Sequence, residues 1–94
     1  MGATKREGLV FRWEKPFGAA DSQEKCEVGS FILWASAIGS WNVVRKSATE
    51  KGAGTIIISD RNQAPGKDIN EAKQRAQAAA IVQLQLTGEF NNQH

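Results

Sequence analysis

One apolar segment constrains the fold of this chain more than any other. From Phe31 to Trp34 four consecutive residues are apolar. Their composition predicts a strand, and successive side chains of a strand point to opposite faces of the sheet. Phe31 and Leu33 therefore lie on one face, and Ile32 and Trp34 on the other. A sheet with one face in water alternates apolar and polar residues, so each face of this strand needs a cover.

Four strands follow from the residue pattern along the chain. They are predicted at residues 9–13, 27–35, 41–45 and 55–59. Gly29 inside the second strand predicts a bulge or the close approach of another backbone. Residues 37–40, with Gly39, predict a hairpin turn, and residues 17–25 predict a loop. The three consecutive isoleucines at 56–58 predict a strand that is buried on both faces.

One helix is expected after the strands. Asp68 is a suitable N-cap, Glu71 stands three residues later, and Gly88 can end the helix after about Leu86. A stripe of small and apolar residues would face the sheet: Ile69, Ala72, Ala76, Ala79 and Ala80. The pattern predicts an α+β fold, an antiparallel β-meander of about four strands with one C-terminal α-helix packed on one face.

Length and cysteine usage predict the organisation and the compartment. The 94 residues are expected to form a single domain, 1–94, with flexible tails at 1–7 and 89–94. No apolar run approaches the roughly 20 residues of a membrane span, and the first residues do not resemble a signal peptide. Cys26 is the only cysteine. A single thiol suits a reducing compartment, which predicts a cytoplasmic location, without a membrane partner.

The sequence offers little for catalysis. His94 is the only histidine and the last residue, so no Ser–His or Cys–His nucleophile system can be assembled around a second one. No histidine and carboxylates stand at metal-ligand spacing. We therefore expect no catalytic residue, no metal and no cofactor, and a protein that is not an enzyme.

The three tryptophans and the basic residues are the remaining candidates for function. Tryptophan suits a core, a protein interface or base stacking, and we expect them in that order of preference. For a protein partner we predict a contact surface of Trp34, Trp41, Arg45 and Lys46. For nucleic acid the phosphate contacts would be Arg45 and Lys46 together with Lys51, Arg61 and Lys67. The net charge of +2 does not decide between these alternatives.

Four short patterns carry a resemblance to a known group of proteins. They are Leu9-x-Phe11-x-Trp13, Gly29-x-Phe31-x-Leu33, Gly39-x-Trp41-x-Val43 and Asn70-Glu71-Ala72-Lys73-x-x-Ala76. Together they resemble small phage- and prophage-encoded proteins with an aromatic β-meander followed by a Glu-Ala-Lys helix. The strand at 55–59 departs from that pattern. Small phage proteins of similar build include anti-CRISPR and other anti-defence inhibitors.

The resemblance implies a non-enzymatic binding protein in the host cell. It would be a phage-encoded inhibitor that occludes a host defence complex, either a protein or a protein–nucleic-acid complex. Two alternatives stay open. One is a small nucleic-acid-binding accessory module, and the other is a structural phage protein that forms a homodimer or a larger homo-oligomer, in which two sheets bury each other's apolar faces.

Overall fold

The structure, a computed structural model, describes residues 3–6, 9–15, 23–47 and 54–89. In these ranges β3, β4, β5 and β6 form an antiparallel sheet in chain order, and β1 and β2 form a separate antiparallel ribbon. The helix α1 packs on β4 and β5. The predicted α+β meander with a C-terminal helix on one face is confirmed. The elements are β1 (Ala3–Arg6), β2 (Leu9–Arg12), β3 (Gln23–Val28), β4 (Phe31–Ser36), β5 (Trp41–Lys46), β6 (Gly54–Ser59) and α1 (Ile69–Leu86).

The long strand predicted at residues 27–35 is two strands. Gly29 has a φ of 57° and stands with Ser30 in a two-residue turn that pairs Val28 with Phe31. The predicted bulge is therefore wrong, since the positive φ that glycine permits is used to reverse the chain. The predicted loop at 17–25 is also wrong in its last part, because residues 23–25 belong to β3. Gln23 and Lys25 lie on the face of the sheet opposite the helix, where polar side chains are tolerated, and Glu24 on the helix side pairs with Lys73 over 2.9 Å.

The N-terminal ribbon is a second difference from the sequence prediction. Residues 3–6, expected in a flexible tail, form β1 and pair with β2 from Ala3↔Arg12 to Arg6↔Leu9. Just beyond β2, Glu14 and Lys25 exchange two backbone hydrogen bonds of 2.9 and 2.8 Å. The ribbon therefore continues along the free edge of β3.

The core lies between the sheet, the ribbon and the helix. Phe31 and Leu33 of β4 are fully buried there, whereas Ile32 and Trp34 on the opposite face are only partly buried. Small residues let α1 approach the sheet closely, and the predicted stripe is confirmed with Ala72, Ala76, Ala79 and Ala80 buried and Ile69 partly buried. Gln77 and Ile81 are buried too. The end of the ribbon reaches the side of the helix that carries Gln77, where the indole Nε1 of Trp13 donates to Gln77 Oε1 over 2.8 Å.

The connection between β6 and α1 is tied to the β4–β5 turn. The indole Nε1 of Trp41 donates to the carbonyl of Ala64 over 2.8 Å, and the Gly66 amide donates to the Gly39 carbonyl over 2.9 Å. Gly39 has a φ of 92°, and a Cβ on it would overlap the Gly66 carbonyl oxygen. The predicted hairpin turn is confirmed, and Gly39 serves both its conformation and this close contact.

Both ends of the helix have the predicted caps. The Asp68 carboxylate accepts the Glu71 amide over 2.9 Å, and the Glu71 carboxylate accepts the Lys67 amide over 3.0 Å. At the other end Gly88 has a φ of 78°, and the Glu89 amide donates to the carbonyl of Leu84 over 2.9 Å. This is the hydrogen bond that a Schellman motif forms after a helix.

Glu89, expected at the start of a polar tail, ties the helix end to the β3–β4 turn. Its carboxylate accepts hydrogen bonds from the Ser30 amide at 2.8 Å, the Ser30 hydroxyl at 2.6 Å and the Thr87 hydroxyl at 2.7 Å. These bonds, first of all those from Ser30, hold the pKa of Glu89 below its ordinary value. The tail prediction is wrong for this residue; residues 1–2, 7 and 90–94, with His94, lie outside the described residues.

The three isoleucines of β6 are not buried on both faces. Ile56 is 60% exposed and Ile57 is 36% exposed, while Ile58 is partly buried against the core. β6 is the last strand of the sheet, beyond the strands on which the helix packs. The isoleucine run therefore predicted a strand correctly, but β-propensity does not by itself report burial.

Candidate functional site

The face of the four-stranded sheet opposite the helix is called here the open face. In the described part of the chain, neither the helix nor the ribbon packs on it. Alternation along the strands assigns its members, and each of them is partly buried or exposed. They are Gln23, Lys25 and Glu27 of β3, Ile32, Trp34 and Ser36 of β4, Asn42, Val44 and Lys46 of β5, and Ile56 of β6.

A pocket of about 650 Å³ opens on this face. Its volume lies within the range of small-molecule pockets. Ile38, at the tip of the β4–β5 turn and 82% exposed, is one of its walls. We call it the Trp34 pocket and define it by six of its lining residues: Gln23, Trp34, Ile38, Asn42, Ile56 and Arg61.

Asn42 brings an unsatisfied polar atom to this pocket. It lies directly opposite Trp34 in the β4–β5 register. Its Oδ1 atom is buried and accepts no hydrogen bond from a described residue. A buried acceptor that finds no donor destabilises a fold by about 1–3 kcal/mol. The described part of the protein therefore supplies no compensation for burying this atom.

The charges on the open face are partly neutralised. Glu27 lies 3.4 Å from Lys25 and 3.2 Å from Lys46. Hydrogen bonds from Lys46 and then Lys25 hold the pKa of Glu27 below its ordinary value. Arg61 lines the Trp34 pocket, and its guanidinium makes no ion pair with another described residue. A single carboxylate thus pairs with two lysines, whereas Arg61 has no carboxylate partner among the described residues.

The four residues predicted for a protein contact do not share one face. Trp34 lies on the open face and lines the pocket, and Lys46 lies on the same face beside Glu27. Trp41 also lines the pocket, but it is only 1% exposed and belongs to the core, so it offers little surface to a partner. Arg45 is exposed, but its register position places it on the helix side. Long-range attraction from Arg45 contributes to the lowered pKa of Glu89.

The three residues added for a nucleic-acid contact are also divided. Arg61 lines the Trp34 pocket. Lys67 is exposed just before the N-cap of α1 and does not line the pocket. Lys51 lies outside the described residues. The structure thus places one of the three at the candidate site.

The sequence prediction missed the apolar and amide walls of the pocket, which are Gln23, Ile38, Asn42 and Ile56. Asn42 depends on the register of the β4–β5 hairpin. The structure pairs Ala35 with Trp41 and Trp34 with Asn42, which places the two tryptophans on opposite faces, whereas a turn of residues 37–40 alone would pair Ser36 with Trp41. No pattern signalled Ile38, since its position depends on the loop that crosses the turn.

Groups that could support catalysis are not assembled in the described residues. They contain no cluster of three or more histidine, cysteine, aspartate or glutamate side chains that could hold a metal ion. Cys26 is buried, and burial raises the pKa of its thiol to about 11. A neutral, inaccessible thiol is a poor nucleophile. No described helix is long and apolar enough to cross a membrane.

Comparisons with known proteins identify no family. No family model matches the chain, and neither a curated protein nor a solved structure is significantly similar to it. Function is therefore inferred from the geometry of the open face.

Proposed function

We propose that this protein is a non-enzymatic binding module that covers a surface of another protein with its open face. The position of Trp34 carries the proposal. This large aromatic side chain is partly exposed and lines a pocket whose walls include the exposed Ile38 and Ile56. Adjoining exposed apolar groups mark interaction surfaces, and tryptophan is enriched among the residues that dominate binding energy. Binding through this face would act by steric occlusion.

The target class is proposed from a different observation. The aromatic meander and the Glu-Ala-Lys helix resemble small phage proteins that inhibit host defences, and on that resemblance we propose a component of a host defence complex as the target, in the host cytoplasm. The open face supports the binding mode only. The two parts of the proposal can therefore fail separately.

A capture experiment with matched variants tests the binding mode. The parent protein, Trp34→Ala, Ile56→Ser and Val82→Ser are used as baits in host lysate, and bound proteins are identified by mass spectrometry. Val82 is 52% exposed on the helix, so it controls for the loss of an exposed apolar group away from the open face. Thermal unfolding of each bait shows that it is folded.

A host protein should be captured by the parent and by Val82→Ser, and lost by both open-face variants. Equal capture by all four baits would place binding elsewhere on the molecule. Capture of no host protein at any salt concentration would contradict the proposal as a whole. The identity of a captured protein also tests the proposed target class.

Nucleic-acid binding is the second candidate, and Arg61 favours it, since it lines the same pocket as Trp34 and has no ion-pair partner among the described residues. Bases stack on aromatic side chains, and arginine contacts phosphates. Lys25 and Lys46 share Glu27, however, which reduces the positive charge available on this face. A gel shift at low salt tests this candidate, since phosphate contacts weaken steeply as salt rises. Binding that Arg61→Gln weakens would favour it over a protein partner.

A further inference from the structure

We propose that the partner is held as an extended acidic segment that pairs with β6 and places one apolar side chain in the Trp34 pocket. This inference rests on the proposed function and specifies the chemistry of the partner and the mode of its binding. Three features of the described residues support it: the exposed edge strand, the pocket beside that edge, and the unpaired Arg61.

The outer edge of β6 is available for strand pairing. β6 pairs with β5 on one side, and no described strand pairs with its other side. Residues 54–57 are all exposed. Edge strands usually carry charged residues or proline, which discourage pairing with another chain. β6 has neither, because its sequence is Gly-Thr-Ile-Ile-Ile-Ser.

The length of the added strand is limited by an irregularity in β6. The register shifts between Val43 and Val44, where Ile58 and Ile56 are the respective partners and Ile57 is the extra residue. A bulge of this kind increases the local twist of a strand. We therefore expect the partner to pair over a short segment, rather than along a whole long strand.

The pocket lies where an added strand can reach it. Ile56 belongs to β6 and also lines the Trp34 pocket. A side chain that an added strand directs to the open face would therefore lie next to Ile56, at the β6 side of the pocket, with Trp34 on β4 at its opposite side. In strand addition the main chain supplies affinity, and pockets for alternate side chains supply specificity. The walls formed by Trp34, Ile38 and Ile56 select an apolar side chain at that position.

Charge complementarity favours an acidic segment over a second copy of this chain. The open face and the pocket carry three cations, Lys25, Lys46 and Arg61, against the carboxylates of Glu27 and Asp60. A second copy would bring the same surplus of positive charge. A carboxylate next to the apolar side chain would instead find Arg61 unpaired by any described residue.

Nuclear magnetic resonance with three capped peptides tests the inference on the full chain. The first peptide alternates valine and threonine between two aspartates. The second has the same side chains with alternate backbone amides methylated, so that it cannot pair as a strand. The third has asparagine in place of aspartate. The titration follows the backbone amides of β6 and the indole N–H of Trp34.

The acidic peptide should bind with millimolar affinity, as expected for a short flexible ligand, and shift both sets of signals. The methylated peptide should bind at least about tenfold more weakly, because it loses the main-chain hydrogen bonds. Arg61→Gln should weaken the acidic peptide about two- to fivefold, the range of an exposed ion pair, and leave the asparagine peptide unchanged. Lys67→Gln, outside the pocket, is the matched control.

Several results would overturn the inference. These are no binding of the acidic peptide, equal affinity for the methylated peptide, or shifts at Trp34 without shifts in β6. Sedimentation that shows a dimer whose dissociation shifts the β6 signals would assign the edge to a second copy. If these results occur while Trp34→Ala still abolishes capture of a host protein, the proposed function stands and only strand addition fails. If open-face variants leave capture unchanged, the proposed function itself fails.

Discussion

The buried hydrogen bond between Trp13 and Gln77 gives the sharpest test of how the ribbon is attached to the helix. Gln77 is 2% exposed and accepts the indole N–H of Trp13 over 2.8 Å. Gln77→Met keeps an unbranched side chain of similar length but removes the acceptor. The indole N–H is then left buried without a partner, which should lower the free energy of unfolding by about 1–3 kcal/mol. For a chain of 94 residues, each kcal/mol lowers the melting temperature by about 4–8 °C.

A double-mutant cycle separates this hydrogen bond from packing. Trp13→Phe leaves the Gln77 oxygen unpaired and also loses ring volume, whereas the double variant leaves neither polar group unpaired. Lys73 Nζ lies 5.6 Å from the centroid of the indole ring, and phenylalanine keeps an aromatic ring for this cation–π contact. We therefore expect the sum of the two single-variant losses in unfolding free energy to exceed the loss in the double variant by about 1–2 kcal/mol.

Urea unfolding at 25 °C with linear extrapolation gives the free energy of unfolding of the parent, the two single variants and the double variant. The control cycle combines Trp13→Phe with Val82→Ser, which lies on the exposed side of the helix. Those two losses should add to within about 0.5 kcal/mol. A Trp13–Gln77 coupling no larger than the control coupling would refute the reasoning, since the ribbon would then not depend on this hydrogen bond.

Three further predictions concern the turn, the pocket and the helix end. Gly39→Ala should lower the melting temperature more than Gly88→Ala. Both positions have a positive φ, but only a Cβ at Gly39 would overlap the Gly66 carbonyl. Equal melting temperatures of the two variants would contradict the close approach of Gly39 to Gly66. Asn42→Val should raise the free energy of unfolding in urea by about 1 kcal/mol, because it removes a buried acceptor that has no donor; a loss of stability would show that this acceptor is paired. Hydrogen bonds lower the pKa of Glu89, so they stabilise the fold above the ordinary glutamate pKa, and this stabilisation is lost as the pH falls through the lowered value. Unfolding curves should therefore show that Glu89→Gln is less stable than the parent at neutral pH and equally stable in strong acid. A stability difference that does not change with pH would contradict this.

Local signals in the sequence predicted the elements of this fold well. Asp68 and Gly88 fixed the ends of the helix because caps depend on a few neighbouring residues. Gly29 shows the limit of such signals. A glycine inside an apparently continuous strand is compatible with a bulge and with a turn, and only the pairing of Val28 with Phe31 decides between them. The ribbon was missed for the same reason, since its residues are stabilised by partners distant in sequence.

The candidate site was predicted less well because it depends on which face the helix covers. The apolar residues of β4 are equally compatible with a helix on either side, and the choice determines whether Trp34 is core or surface. Strand parity limits this freedom. Once the β4–β5 hairpin pairs Ala35 with Trp41, Trp34 and Trp41 must face opposite sides. A four-residue turn at 37–40 would instead pair Ser36 with Trp41 and leave both tryptophans on one face. The predicted hairpin was therefore compatible with a single contact surface, and only the observed pairing of Ala35 with Trp41 excludes it.

The contrast between the two faces of the sheet supports a partner for the open face. On the helix side the packing is so close that Phe31, Leu33 and Val43 are fully buried. On the other side there is a pocket, and Asn42 leaves its buried oxygen without a donor. The strands would accept polar β-formers such as threonine at the positions of Trp34 and Ile56. The fold therefore does not require apolar groups there, which agrees with the proposal that another molecule contacts them.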